Sequence, residues 1–473
     1  MGQNNKTQKP LVNSIDELFA FIDIHENKNI SFHHHLRNGD GVINYVLNKY
    51  LQEEIMDLNL FPSSIFPAYT KILELIENHQ INDITTNYCN GGVAKYISQH
   101  GLPGTLTMQT HGGRARSIQE GISKIDIAFI AAPYVNIYGD AIGYDGKSSF
   151  GSMGYAIVDS EYAKITVLVT DHLVENQIEN PEILGSNVDY ILKVDSIGDN
   201  TGIVSGTTEV TKNPIGVKIA KNTSKLLFEL GLIKNGFSFQ SGAGGVSLRV
   251  TKDLRDIMIR QNIKASFFSG GITKYHVEML EEGLVETLYD VQCFDLEAVH
   301  SLKRNKNHVP ISASMYANPV DPMQVIKDLD IVILGATEID LNFNVNVTTD
   351  SHQTIIGGSG GHSDTASEAK VSVIVSPLLK GRLSVIKDRV TTITTLGKNI
   401  DCLVTERGIA INPLRQDLIN KLKDSNLKIC TIQELSELAY QYTNKPKDII
   451  KRERIIGEIE DRTHDIIDYL YQK

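Results

Sequence analysis

The chain lacks any apolar run approaching the roughly 18 residues that a membrane-spanning helix needs. Its first residues, Met1-Gly2-Gln3-Asn4-Asn5-Lys6, are polar and carry no apolar stretch of the signal-peptide kind. Cysteine is scarce: Cys89, Cys293, Cys402 and Cys430 are far apart and form no C-x-x-C pair. That argues against a disulfide framework or a cysteine zinc site and for isolated, buried thiols in a reducing compartment. A cytoplasmic protein is the expectation. No long basic run is present, and the net charge is −11, which argues against a nucleic-acid partner. An anionic small ligand stays open, because local arginines and loop amides decide that. The dinucleotide and triphosphate signatures are also missing. Ser241-Gly242-Ala243-Gly244-Gly245-Val246 comes nearest, but Ser247 stands where the last glycine of G-x-G-x-x-G belongs, and no lysine holds the Walker position.

What remains is an ordinary globular composition, 41% hydrophobic and 22% charged over 473 residues, enough for two or three domains. Apolar runs at 125–130, 165–169, 330–334, 371–375 and 402–404 predict buried strands, and apolar spacing predicts helices at 69–76 and 414–422. Thr431-Ile432-Gln433-Glu434 is a capping-box pattern that predicts a helix start. Strand–helix alternation with apolar strands implies an α/β protein with largely parallel sheets. Three features recur in the same order. Cys89-Asn90-Gly91-Gly92 resembles Phe268-Ser269-Gly270-Gly271, and Ser31-Phe32-His33 resembles Ser238-Phe239-Gln240. His111-Gly112-Gly113-Arg114 and Gly360-Gly361-His362 each precede an apolar strand. An old duplication is therefore expected, with domains at 1–210 and 211–473. The boundary falls in the threonine-rich segment Thr207-Thr208-Glu209-Val210-Thr211-Lys212-Asn213-Pro214.

Glycine loops carrying polar heads are the main functional signal. Gly357-Gly358-Ser359-Gly360-Gly361-His362-Ser363-Asp364 cannot serve core packing and reads as a binding or catalytic loop. His33-His34-His35-Leu36-Arg37-Asn38-Gly39 offers imidazoles, a guanidinium and helix-start amides, which suit a carboxylate. The same residues could equally be polar groups at a strand end. Adjacent histidines on extended chain point alternately, so no metal is expected. His111-Gly112-Gly113-Arg114-Ala115-Arg116 is a further glycine loop with two guanidiniums. Amides of Gly242, Gly244 and Gly245 could hold an oxyanion. Glu338 follows a predicted strand, where α/β sites form, and Asn342, Asn344 and Asn346 would line one face of the next strand.

These strings, together with Gly151-Ser152-Met153-Gly154-Tyr155-Ala156-Ile157-Val158-Asp159, Asp290-Val291-Gln292 and Val404-Thr405-Glu406-Arg407-Gly408, closely resemble the citrate lyase α-subunit family. The resemblance spans nearly the whole chain. It implies two related CoA-transferase-like domains with the site between them. It further implies transfer of a carrier-protein thiol from an acetyl thioester to citrate, giving citryl thioester and acetate. In 4-hydroxybutyrate-type members of the wider superfamily, a thioester-forming glutamate lies in the segment similar to 267–271. Here that segment is Phe-Phe-Ser-Gly-Gly, which points to a ternary transfer without an acyl-enzyme. The candidate catalytic groups are Glu338, His362 and Asp364. His33, His34, Arg37, Arg114 and Arg407 are candidates for citrate. Gly242, Gly244, Gly245, Gly358, Ser359, Gly360 and Gly361 are candidates for the thioester arm. The resemblance implies no tightly bound cofactor, a CoA-like arm on a γ carrier subunit, a β lyase subunit, and homo-oligomers within the complex. Two alternatives are a transferase on free acyl-CoA with an acid such as citramalate, and a non-catalytic metabolite sensor.

Overall fold

The computed structural model describes residues 7–204, 208–445 and 453–473. The segment 1–6, and Thr207 of the expected boundary, lie outside the described residues.

The predicted apolar runs form strands because each can be buried on both faces between helices. Ile127–Ala131 and Val371–Val375 are buried at every position. The expected helices form at Thr70–Glu77 and Gln416–Lys421. The Thr431 capping box is made on both sides and starts the helix Ile432–Thr443. Among the described residues no helix is long and apolar enough to cross a membrane.

Two large, mostly parallel sheets are built by one rule. Apart from the short edge strand Leu11–Val12 of the first, each starts at its centre. In the first, Asn29–Phe32 is central; Leu58–Pro62, Ile81–Thr86 and Leu106–Met108 then fill one side, and Ile127–Ala131, Ile165–Thr170 and Tyr190–Lys193 the other. In the second, Ser238–Ser241 is central. Ala265–Ile272, Val285–Cys293 and His308–Pro310 fill one side, and Ile331–Leu334, Val371–Val375 and Cys402–Val404 the other. The repeated strand order agrees with a duplication. Only one of the three sequence matches is part of it, however. Ser31-Phe32-His33 and Ser238-Phe239-Gln240 occupy the two central strands and their ends. Gly91-Gly92 opens a helix after the second flanking strand, whereas Gly270-Gly271 lies inside the first. Ile127–Ala131 corresponds to Ile331–Leu334, not to Val371–Val375, so the third match also fails. Paired glycines recur wherever two backbones approach closely, whatever the ancestry.

Three local expectations are corrected. His111-Gly112-Gly113-Arg114 is the first turn of a helix, His111–Gln119, capped by Thr110, whose hydroxyl accepts from Gly113 N at 2.8 Å. A short helix, His362–Glu368, stands between the 357–361 loop and its strand. Asn342 and Asn344 lie in a turn, with Phe343 left-handed (φ 65°), rather than along one strand face. Asp340 holds that turn by accepting from the backbone N of both asparagines at 2.9 Å.

The C-terminal hairpin Ile455–Glu460 and Ile466–Tyr471 joins the first sheet beside Leu106–Met108. The span 211–473 is therefore not confined to one sheet. Between those strands Arg462 is buried; it donates to the Ala317 carbonyl at 2.7 Å and pairs with Glu368. The hairpin thus ties the first sheet to helices of the second. Arg462→Met should lower unfolding stability by about 2–3 kcal/mol, because a buried carbonyl and a carboxylate lose a charged donor. Urea midpoints of the variant and parent chains check this.

Candidate active site

The carboxyl end of the first sheet's central strand meets the second half along a seam between the sheets. Immediately after Asn29–Phe32 come His33, His34 and Arg37. His34 bridges the halves. Its Nδ1 lies 2.6 Å from Ser63 Oγ, and its Nε2 lies 3.1 Å from Gln292 Oε1. The Tyr155 ring stacks on His34 (4.7 Å) and packs at a tilt against His111 (4.4 Å). From the other half, Gln240 donates to the Tyr316 hydroxyl at 2.7 Å and accepts from Ser269.

The 357–361 loop closes the seam by close backbone approach. A Cβ on Gly358 would lie 2.2 Å from the Asn87 carbonyl, and one on Gly361 would lie 2.5 Å from the Tyr316 hydroxyl. Gly360 is left-handed (φ 51°); its carbonyl accepts from His111 N at 2.9 Å. Ser359 is turned inward and accepts from Ser363 N. Asp364 crosses the seam, accepting from Thr110 Oγ1 at 2.7 Å and Gly112 N at 2.9 Å. A carboxylate at the N-terminus of the His111–Gln119 helix is favoured by that helix's dipole.

Among the described residues, Arg37, Phe66, Tyr88, His111, Phe294 and Gly360 are partly exposed at this seam. The first three and Phe294 form a connected rim, and His111 lies against Gly360. Arg37 lies 4.4 Å over Phe294 and 5.8 Å over Phe66, and Phe66 stacks on Tyr88 at 5.4 Å. Among the described residues no carboxylate pairs with Arg37. One nitrogen donates to the Ile203 carbonyl at 3.3 Å, and its Nε is buried without a partner. Burial lowers its pKa from the ordinary arginine value. An open groove of about 630 Å³ lies elsewhere, between Pro214–Glu229 and Gly245–Gln261, and its Arg249 is already paired with Asp253. The seam is chemically the richer place.

The structure assembles the expected residues unevenly. Arg114 is spent on a buried fork. Both terminal nitrogens bond Asp159 at 2.8 Å, and one also reaches the Phe61 carbonyl. His33 faces that pair, 3.6 Å from Asp159, and not the rim. Arg407 sits in a turn, half exposed, beside Glu406 and 5.8 Å from Tyr442, outside the seam cluster. Glu338 is saturated: Lys387 at 2.5 Å, Ser351 at 2.6 Å, Thr391 N at 2.8 Å and Asn346 at 3.0 Å all serve it. Burial raises its pKa, but Lys387 and these donors outweigh that and hold it low. It closes a small sheet and does not face the rim. His362 uses both nitrogens, on Thr395 and the Gly335 carbonyl. Gly242, Gly244 and Gly245 lie at the carboxyl end of Ser238–Ser241, with Gly242 N on the Ile333 carbonyl. Among the described residues no group of three His, Cys, Asp or Glu is placed to hold a metal. Sequence reasoning passed over His111, Tyr155, Gln240, Tyr316 and Phe294 as site residues. Their only signal was position: His111 heads a glycine string, and Tyr155 lies inside the 151–159 string.

Arg114→Lys cannot rebuild the fork, so stability should fall by about 3 kcal/mol while citrate KM stays within about twofold of the parent value. Parallel urea titration and kinetics separate the two effects.

Burial lowers the pKa of His33 and His362 to about 4 and of His111 to about 3; His34 and His35 are pushed well below 6.5 by the same cause. His276 follows, at about 4. An unfolded chain takes up these protons near pH 6.5 and the folded chain does not, so acidification removes stability. Burial raises Asp364 to about 6 and Asp40 and Glu182 to about 7, which works in the opposite direction. The imidazoles outnumber these carboxyls. The denaturation midpoint should therefore drop between about pH 7 and about pH 5; a rising midpoint would show the carboxyls dominating.

Comparison with known proteins fixes first the class. The α subunit of a malonate decarboxylase from Acinetobacter baumannii matches 93% of this chain and 94% of its own at 14% identity, with a TM-score of 0.67. RipA from Yersinia pestis matches 91% of this chain and 97% of its own at 16% identity, with a TM-score of 0.65. The fold is the CoA-transferase-like α/β class. Residues 8–473 match the family described as citrate lyase, alpha subunit (CitF), and the chain belongs to that family. The citrate lyase alpha chain of Haemophilus influenzae is 41% identical over 98% of this chain and 93% of its own. That of Klebsiella pneumoniae is 40% identical over 100% and 93%. A Streptococcus mutans protein provisionally assigned as the same subunit, solved in complex with citrate, is 43% identical, with a TM-score of 0.96 over 100% of this chain and 92% of its own.

Proposed function

We propose that the seam is where an acetyl thioester and citrate exchange partners, with Arg37 as the principal cation for the acid. The overall activity is that of the family: transfer of a carrier thiol from acetate to citrate. The observation that carries the site assignment is Arg37, a largely buried guanidinium at the rim with no carboxylate of its own. A buried cation of that kind is costly unless an anion completes it.

The chemistry needs little from the protein beyond positioning and charge. A citrate carboxylate oxygen attacks the thioester carbonyl; the C–S bond breaks and thiolate leaves. The thiolate then attacks the citryl carbonyl of the mixed anhydride; the C–O bond breaks and acetate leaves. No proton is transferred overall. That agrees with imidazoles held neutral by burial. Backbone amides of Gly244 and Gly245 and of Gly358, Ser359 and Gly361 are the oxyanion donors in this reading, since those of Gly242, Gly357 and Gly360 already serve carbonyls. An acyl-enzyme is disfavoured on two counts. The segment Phe267-Phe268-Ser269-Gly270-Gly271 carries no carboxylate, and Gly270 is held at φ 95°, which a side-chain-bearing residue rarely adopts. Glu338 has no free lone-pair direction at the rim.

The family name makes the chain one subunit of an assembly. In this reading a γ carrier protein brings the arm, a β subunit cleaves the citryl thioester, copies of the chain associate within the complex, no cofactor stays tightly bound, and the work is done in the cytoplasm. Nothing among the relatives favours the free acyl-CoA, citramalate or sensor alternatives.

Arg37→Lys should raise citrate KM by about 10- to 100-fold at fixed thioester donor, since one point charge replaces a fork over two rings. Intact-protein mass spectrometry with acetyl-CoA and no acceptor should show no adduct. An adduct on Glu338, or unchanged KM in Arg37→Lys, would overturn the assignment.

A further inference from the structure

We infer that His111 is a specificity residue: its bare Nε2 accepts a hydrogen bond from the hydroxyl of the acceptor acid. This rests on the reading of the seam given above, and deepens it. Asn87 is fully buried. Its Nδ2 donates to the Thr110 carbonyl at 2.8 Å, so its Oδ1 is the atom turned to His111 Nδ1, at 3.3 Å. An amide oxygen only accepts, so the imidazole proton belongs on Nδ1. His111 is neutral, because burial and the nearby Arg114 hold its pKa down to about 3. Its Nε2 therefore presents a lone pair. That atom faces Gly360, where an added Cβ would lie only 3.2 Å from it. His111 is partly exposed, whereas His34 and His35 are buried.

The transfer itself has no use for this lone pair, since it moves no proton. The carboxylates of the acid are acceptors and gain nothing from it. A hydrogen-bond donor is required, and the acid's tertiary hydroxyl is the donor carried on the same molecule as the carboxylates. Arg37 and His111 face a common region, because Tyr155 packs against His111 at 4.4 Å and lies close enough to Arg37 to perturb it electrostatically. A hydroxy-tricarboxylate held by Arg37 can thus satisfy both groups; its deoxy analogue leaves Nε2 unpaired.

The experiment compares kcat/KM for citrate and for tricarballylate, which has the same three carboxylates and no hydroxyl. The parent chain should favour citrate by about 10- to 100-fold, the usual cost of an unpaired buried acceptor. His111→Phe keeps the ring on Tyr155 and removes the nitrogen, and the ratio should collapse toward one. Gly360→Ala, which covers Nε2, should shrink the ratio in the same direction. An unchanged ratio in both folded variants, with citrate still used, overturns this inference alone. Inactivity of the parent chain on both acids overturns the seam reading as well. A readout independent of turnover is the two-bond proton–nitrogen spectrum of histidine-labelled protein. His111 should show a protonated Nδ1 and an Nε2 that shifts with citrate and not with tricarballylate. A shift produced instead by acetyl-CoA alone would assign the lone pair to an amide of the thioester arm and overturn the proposal.

Discussion

The seam depends on one carboxylate. Asp364, carried by the second sheet's short helix, sits at the N-terminus of the first sheet's His111–Gln119 helix and accepts from Thr110 and Gly112. Helix-start amides have no partner within their own helix, and a fully buried end must find one. Here the partner comes from the other half of the molecule. The glycines around it follow from the same contact. Gly112 approaches the Ala317 carbonyl so closely that a Cβ would lie 2.0 Å away, and the 357–361 loop has comparable clearances. Arg462, from the C-terminal hairpin, fills the remaining side 3.8 Å from Asp364. The glycine loop is therefore first a joint between two sheets. Its place at the rim is a consequence of the joint.

That joint sets the electrostatics of the site. Packing two sheet edges together removes water from a row of imidazoles, and desolvation keeps them neutral. Their nitrogens are then used as fixed donors and acceptors: His34 to Gln292 across the seam, and His362 to Gly335 within the second half. Arg114 is paired with Asp159 and Lys387 with Glu338. Arg37 differs from these in having no carboxylate partner among the described residues. A reaction that exchanges oxygen and sulfur at two carbonyls, with no proton to move, suits such a frame.

The alternation of apolar runs was enough to specify an α/β protein with parallel sheets, since each run is short, apolar on both faces and separated by amphipathic helices. Element ends came within a few residues, as with 125–130 against Ile127–Ala131. Helices headed by glycine were not legible, because their stability comes from Thr110 and Asp364 and not from propensity. The combined strings also identified the family, because together they mark positions where little but one residue fits.

Tertiary structure decided which of the polar residues act together. Arg37, Arg114 and Arg407 look alike as letters. One is forked onto Asp159, one stands in a turn beside Glu406, and one is left without a carboxylate, and only the packing of distant segments makes that difference. Glu338 read as a candidate catalytic group after a strand, and Lys387, Ser351 and Thr391, all downstream, are folded onto it. The sequence alone determined the layers, the parallel strands and the family, because periodicity and close-packed motifs are local properties. The free or committed state of each charge was decided only in three dimensions, because it depends on partners tens or hundreds of residues away.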